Sequence, residues 1–375
     1  MGSDHCGVHI LSMLPWFLGL FLTLPLFGYA AWHLYDLATE DRQIESPPLR
    51  KPPRAAIWGK PTKTEDDLAR AFVCPGQGAQ SIGMGKDLAE AYPAAMDIFN
   101  EVDEALGEKL SALIWEGDIE TLTLTQNAQP ALMATSMAAF RALEAEGLGI
   151  TDAAMVAGHS LGEYSALAIA GAISVADTAR LLRLRGEAMQ AAVPVGVGAM
   201  AALLGLDFDV VQSVAVEAAD GEVCQAANDN DPGQVVVSGH KAAVERTVEL
   251  AKERGAKRAV LLPVSAPFHC ELMAPAADKM KKALAEVNIQ APSIPVVSNV
   301  RAAGVSDPDE IRELLVQQIT GSVRWRESVI WMASQGVDQI WEIGAGKALS
   351  GMVRRIDRAI ECKAIGTAAD VAAVA

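Results

Sequence analysis

The sequence predicts an α/β fold: a large lobe on a mostly parallel sheet, with a small inserted lobe of ferredoxin-like order. Three observations predict it. From Ala71 onward, short apolar runs alternate with longer helical patterns, the texture of strands joined by crossover helices. Gly158-His159-Ser160-Leu161-Gly162 follows the apolar run Ala153–Ala157 and precedes the helix-like Ser165–Ala168, which spells the strand, sharp turn and helix of an α/β-hydrolase-like lobe. Between Gly198 and Leu262 the order reads strand, helix, strand, strand, helix, strand.

Residues 1–70 stand outside this pattern as an N-terminal extension. Ile10–Ala31 is an apolar run long enough to span a membrane. No Lys or Arg precedes it, whereas Arg42, Arg50, Lys51, Arg54, Lys60 and Lys63 follow, so the positive-inside rule puts everything downstream in the cytoplasm. A tether and a stretch upstream of a wrongly chosen start codon both fit the run. Glu40–Asp67, rich in Pro, Lys and Glu, reads as a solvated linker. The main domain is expected over residues 71–375, with its small lobe at about 195–263.

Ala71–Cys74 is the expected first strand, and Pro75-Gly76-Gln77-Gly78-Ala79-Gln80 turns away from its end. Gln129–Gly147 and Val175–Ala192 carry apolar residues at helical spacing, the second also holding Arg180, Arg183 and Arg185. In the small lobe, strands fall at Ala199–Leu204, Val223–Ala227, Gln234–Ser238 and Arg258–Leu262, with helices at Phe208–Ala218 and Lys241–Arg254 and a hairpin turn over residues 228–233. The loop Pro263–His269 leads to a helix at Met273–Val287, a strand at Pro295–Asn299 and a helix at Asp307–Ile319. Trp325–Gln335, a strand at Gln339–Ile343 and a helix after Gly344-Ala345-Gly346 complete the large lobe.

Composition narrows the function classes. With 51% apolar and 21% charged residues the chain of 375 is globular rather than disordered, and its net charge of -16 argues against nucleic-acid or anionic-membrane binding through bulk electrostatics. Cys6, Cys74, Cys224, Cys270 and Cys362 are odd in number and scattered, so they suggest neither a disulfide framework nor a metal site. A reducing compartment is the simple expectation.

The G-x-S-x-G pattern presents Ser160 on a strained turn, but a serine hydroxyl needs a base to take its proton. Of the six histidines, His5, His9 and His33 lie in the extension, His159 sits on the tight turn with its ring expected to point away, and His240 starts a helix. His269 is left, on a loop after the small lobe. A structural histidine at a helix start fits that position as well as a base does. Seen alone, Pro75–Gly78 reads as an ordinary Gly-rich turn, and it lacks the Lys-Ser or Lys-Thr that a phosphate loop requires.

Six blocks in order carry a resemblance: PGQGAQ at Pro75–Gln80, GHSLGEY at Gly158–Tyr164, LRLRGEAMQ at Leu182–Gln190, NDNDPGQVVVSG at Asn228–Gly239, SAPFHCELM at Ser265–Met273 and EIGAGKALSGM at Glu342–Met352. Together they resemble the malonyl-CoA:acyl carrier protein transacylases of fatty acid synthesis. The resemblance implies a ping-pong transfer in which Ser160 takes the malonyl group from malonyl-CoA, His269 is the general base, and the group passes to the phosphopantetheine thiol of acyl carrier protein. It also implies that the backbone carbonyl of Gln318 orients His269, no acidic residue presenting itself for that role, so that the Gln318 side chain is replaceable with modest effect. The N–H groups of Gln77 and Leu161 would form the oxyanion hole, and Arg185 would pair with the malonyl carboxylate. Phe268 would exclude branched acyl groups, and Asn230 would contact substrate. No metal or resident cofactor is implied, and a monomer is expected. Arg324, Arg326, Lys347, Arg354 and Arg355 cluster in sequence and are the expected docking patch for an acidic carrier protein. The rival readings are a serine esterase or thioesterase with water as acceptor, an acyltransferase of polyketide synthesis, and a tethered module that binds carrier protein without catalysis.

Overall fold

The computed structural model describes residues 69–264 and 266–375. The apolar run Ile10–Ala31 and the linker Glu40–Asp67 lie outside the described residues. Ten strands are found among the described residues: β1 (Ala69–Cys74), β2 (Met155–Gly158), β3 (Gly198–Leu204), β4 (Cys224–Asp231), β5 (Gln234–His240), β6 (Arg258–Leu261), β7 (Val296–Ser298), β8 (Ala303–Val305), β9 (Val337–Ile343) and β10 (Glu361–Ile365).

The large lobe is built on a sheet of order β10-β9-β1-β2-β7-β8, parallel throughout except for β8 against β7. Residues Ala71–Cys74 at its centre are wholly buried, as expected of a strand covered on both faces. Alternation along the strand sorts them. Phe72, Cys74 and Val156 join the core beneath the helices Thr125–Ala145, Leu161–Ile169 and Val175–Ala191. Ala71, Val73, Met155 and Ala157 join the core beneath Trp325–Ser334 and Ala348–Ile356.

Residues 198–261 form a separate antiparallel sheet of order β4-β5-β3-β6 in the element order βαββαβ, with Phe208–Ala219 and Lys241–Glu253 packed on one apolar face. The element order and most boundaries agree with the sequence expectation. Asn228–Asp231 does not. Asn and Asp favour turns, yet these residues extend β4, because backbone pairing with β5 and buried side-chain partners outweigh local preference. Helices at Lys86–Ala91, Pro93–Leu106, Leu110–Glu116 and Ile119–Thr123 fill a stretch for which the sequence predicts no element, and β8 and β10 are likewise unpredicted. Among the described residues, no helix is long and apolar enough to cross a membrane.

Candidate active site

The functional residues gather at the carboxyl edge of β1, β2 and β7, where an open parallel sheet offers loop and helix starts to a ligand. Ser160 lies between β2 and the helix Leu161–Ile169 with φ 55° and ψ -108°, a left-handed backbone that a non-glycine residue adopts at a cost. The flanking glycines allow the turn. A Cβ on Gly158 would stand 1.9 Å from the Gly162 carbonyl oxygen, and one on Gly162 would stand 2.3 Å from the carbonyl oxygen of Cys74. The turn closes on its own backbone and on the end of β1, and it is held by Asn299, just past β7. Asn299 Oδ1 accepts from the Ser160 N–H at 2.8 Å, and Asn299 Nδ2 donates to the Gly158 carbonyl at 2.7 Å.

His269 meets the serine. Its Nε2 is 2.8 Å from Ser160 Oγ, and its Nδ1 is 2.8 Å from the backbone carbonyl oxygen of Gln318. A carbonyl can only accept, so Nδ1 carries the proton and Nε2 presents its lone pair to the hydroxyl. His269 has φ 58° and is 4% exposed. Burial, with Arg185 second, pulls its pKa down to about 3, which keeps the ring neutral.

Arg185 comes from the helix Val175–Ala191. Its neighbour Gly186 lets that helix press against Thr125–Ala145, for a Cβ there would lie 2.4 Å from Gln126 Cα. The guanidinium is 1% exposed; Nη2 donates to Ser160 Oγ at 3.1 Å and to Gln318 Oε1 at 3.0 Å, and Nη1 donates to Gln129 Oε1 at 2.7 Å. Its Nε finds no protein acceptor, and among the described residues no carboxylate lies within ion-pair distance of it. A buried cation bonded only to neutral oxygens is expensive, so this geometry suits an incoming anion. Arg180 and Arg183, by contrast, pair with Asp177 and Glu108.

Gln318 corrects one expectation. Its side chain is 0% exposed and fully engaged: Nε2 donates to the Ser160 carbonyl at 2.9 Å and to Glu163 Oε2 at 2.7 Å, while Oε1 accepts from Arg185. Replacement would therefore disturb both the serine turn and the arginine, and the effect would not be modest. The network also contains three residues that sequence reasoning missed, Gln129, Asn299 and Glu163. Glu163 stands three residues past the serine inside GHSLGEY, and a charged residue in an otherwise apolar helix was the available signal.

Gln77 and Leu161 arrive from adjacent strands, since Cys74 and Gly158 are paired in register. Leu161 N–H is the first of its helix, one of the donors that a helix cannot satisfy internally. Gly76 lies so close to the serine turn that a Cβ would be 2.8 Å from the His159 carbonyl oxygen, and the Gln77 side chain is tied back to Thr125 Oγ1 at 2.9 Å. Phe268 is half-buried against the large-lobe core. Asn230 comes from β4. Its Oδ1 lies 2.9 Å from His159 Nε2, so a small-lobe strand steadies the histidine beside the serine, whose ring packs 6.0 Å from Trp325.

The expected basic patch is divided. Arg326 and Arg355 form ion pairs with the buried Asp229 and Asp231 of β4, and Arg324 pairs with Glu327. Lys347 and Arg354 are exposed and, among the described residues, belong to no ion pair. Among the described residues, no three His, Cys, Asp or Glu side chains gather as metal ligands.

The chain resembles known proteins over most of its length. Residues 71–368 match the acyl transferase domain family. The chain is 48% identical over 303 residues, 81% of its length, to the malonyl CoA-acyl carrier protein transacylase of Escherichia coli (strain K12), of which 97% is covered. It superposes on the crystal structure of an acyl-carrier-protein-S-malonyltransferase from Bartonella henselae with TM-score 0.80 and 56% identity, covering 82% of this chain and 98% of that one. A malonyl-transacylase in complex with its type II PKS acyl-carrier protein aligns with TM-score 0.79 and 43% identity, over 81% and 98% of the two chains.

Proposed function

The chain belongs to the acyl transferase domain family, among the malonyl CoA-acyl carrier protein transacylases, and from that premise we propose that Ser160, His269 and Arg185 carry its chemistry. It transfers the malonyl group from malonyl-CoA to acyl carrier protein. The observation that carries the assignment of residues is a buried guanidinium with no carboxylate partner, 3.1 Å from a serine hydroxyl that is itself 2.8 Å from a neutral imidazole.

Ser160 Oγ attacks the thioester carbonyl carbon as its proton passes to His269 Nε2. The tetrahedral oxyanion is received by the N–H groups of Gln77 and Leu161, each such donor being worth on the order of ~3 kcal/mol in the transition state. Nδ1–H donates to the Gln318 carbonyl throughout, and that acceptor steadies the imidazolium without taking its proton. The C–S bond then breaks, the His269 proton leaves with the coenzyme A thiol, and malonyl remains as an ester on Ser160. In the second half the pantetheine thiol of the carrier protein gives its proton to His269, its sulfur attacks the ester carbonyl, and Ser160 Oγ leaves with the proton from Nε2. Arg185 donates to the malonyl carboxylate with paired hydrogen bonds, so an acyl group without that carboxylate leaves the buried charge uncompensated. Phe268 supplies bulk against branching, worth about 1 to 3 kcal/mol for one methyl group. Asn230 acts on this site through His159.

Arg185→Ala tests the reading directly. It should lose malonyl transfer while gaining relative activity on acetyl and other neutral acyl groups; a general esterase would be indifferent. For the carrier protein we propose docking around the exposed Lys347 and Arg354. Reversing both charges should raise the KM for carrier protein more than the KM for malonyl-CoA, and equal changes would contradict the docking site. We take the acyltransferase domain to be residues 71–375 and to act as a monomer, in the cytoplasm, with residues 10–31 as a tether. Recovery of the full chain with the membrane pellet, and of a chain starting at residue 69 in the supernatant, is the expected fractionation; the full chain in the supernatant would contradict the tether.

A further inference from the structure

A carboxylate that the mechanism does not use lies under the catalytic turn. Glu163 is 2% exposed, and two donors converge on one of its oxygens: Asn299 N–H at 3.0 Å and Gln318 Nε2 at 2.7 Å. Asn299 holds the Ser160 N–H, and Gln318 holds both the Ser160 carbonyl and Arg185. The carboxyl group is therefore linked, through one intervening residue each, to the N–H and carbonyl of the nucleophile and to the guanidinium.

The two ends of a carboxamide are close to equal in shape, and only their partners decide which end faces which way. At Gln318 the choice matters. As observed, Nε2 faces Glu163, the Ser160 carbonyl and, at 3.3 Å, Asn299 Oδ1, all acceptors, of which Glu163 is the nearest at 2.7 Å, and Oε1 faces the Nη2 donor of Arg185. Turned over, the amide would set Oε1 against three acceptors and Nε2 against a guanidinium N–H, leaving like facing like among buried groups. Arg185 would then lose an acceptor and move off the position from which it meets both Ser160 Oγ and an acyl carboxylate.

We propose that Glu163 is a positioning residue for acyl selection: by accepting from Gln318 Nε2 it fixes the sense of the Gln318 amide, and through Gln318 Oε1 it holds the Arg185 guanidinium at Ser160. The inference rests on the reading of Ser160 and Arg185 given above. Both donors fall on the same oxygen, Oε2, so the other oxygen can carry a proton or be replaced by an amide nitrogen without loss of either bond. Glu163→Gln therefore keeps the device, and Glu163→Leu removes it.

The test reads the ratio of malonyl to acetyl adduct formed on the full-length protein exposed to equal malonyl-CoA and acetyl-CoA, by intact mass. Glu163→Leu should lower that ratio about tenfold, the loss expected when one hydrogen bond to a charged group is misdirected. Glu163→Gln should restore at least about a third of the wild-type ratio, and Glu163→Leu in an Arg185→Ala background should change it no further. Should Glu163→Leu fail to fold, Gln318→Met serves. It keeps the backbone carbonyl for His269 and removes the amide, and it should lower the ratio to the same extent. Equal losses of malonyl and acetyl adduct, or an unchanged ratio in the folded variant, would overturn the positioning role and leave only a structural one. Absence of any adduct on the wild-type protein would instead overturn the reading of Ser160, and this inference with it.

Discussion

At the scale of single residues the site is an arrangement of charge states. His269 stays neutral because burial and then Arg185 hold its pKa near 3 against an ordinary value of 6.5, so the free enzyme keeps its base far into acid. Acylation by malonyl-CoA at about pH 5.5 should run within about twofold of its rate at neutral pH, read by rapid quench; an acid limb at or above 6.5 would contradict this. Stability responds differently. Between about 6.5 and 3 the unfolded chain takes a proton that native His269 refuses, so this group's contribution falls as pH drops through that window. Glu163 has the opposite sign: burial raises it from 4.5 to about 7, the native state holds the extra proton, and its contribution falls as pH rises between those values. The two oppose each other from about 4.5 to 6.5. Glu163→Gln should therefore show unfolding free energy rising with pH across that range more steeply than wild type, measured by urea titration, and a flatter curve would contradict the assignment. Ser160, His269 and Arg185 were legible from motif blocks. The wiring of Gln318, Asn299, Gln129 and Glu163 was not, because it joins residues as far as 158 positions apart and depends on which amide atom faces which way.

At the scale of elements, the turn at Ser160 works because three backbones come closer than any side chain allows. Gly158→Ala puts a Cβ 1.9 Å from backbone that cannot step aside, and it should reduce transfer to below about 1% of wild type while costing about 1 to 3 kcal/mol. Gly351→Ala is the contrast. Its nearest neighbour would be the flexible end of Arg355 at 3.7 Å, within a helix, and it should stabilise the protein by about 0.5 to 1 kcal/mol in thermal or urea unfolding. A tolerated Gly158→Ala would refute the crowding argument. The strand and helix of the elbow were readable because glycine spacing and apolar runs are local signals. Pro93 at a helix start and Gly107 at its end, with φ 67°, were local signals too, but the short helices around them lacked a long apolar period to announce them. Asn228–Asp231 misled because the partners that make it a strand, among them Arg326 and Arg355, lie about a hundred residues away and are invisible to propensity.

At the scale of the molecule, β4 joins the two lobes. Asp229 N–H donates to the Val323 carbonyl, Val323 N–H donates to the Ala227 carbonyl, and the ion pairs Arg326–Asp229 and Arg355–Asp231 flank this bridge. His159 reaches across to Asn230 from the serine turn itself, so the small lobe braces the site. Burial pushes Asp229 upward even with Arg326 beside it, which makes the pair costly to break. Arg326→Met should destabilise by about 3 kcal/mol, and adding Asp229→Asn should recover much of that, since the stranded charge is then gone. No recovery in the double variant would show that the pair is not what holds the lobes.

The most direct measurement is intact-mass labelling of the protein with malonyl-CoA in competition with acetyl-CoA. One malonyl adduct per chain, absent from Ser160→Ala and outcompeted by acetyl only in Arg185→Ala, is the predicted result. An adduct that survives Ser160→Ala, or an acyl preference indifferent to Arg185, would contradict it.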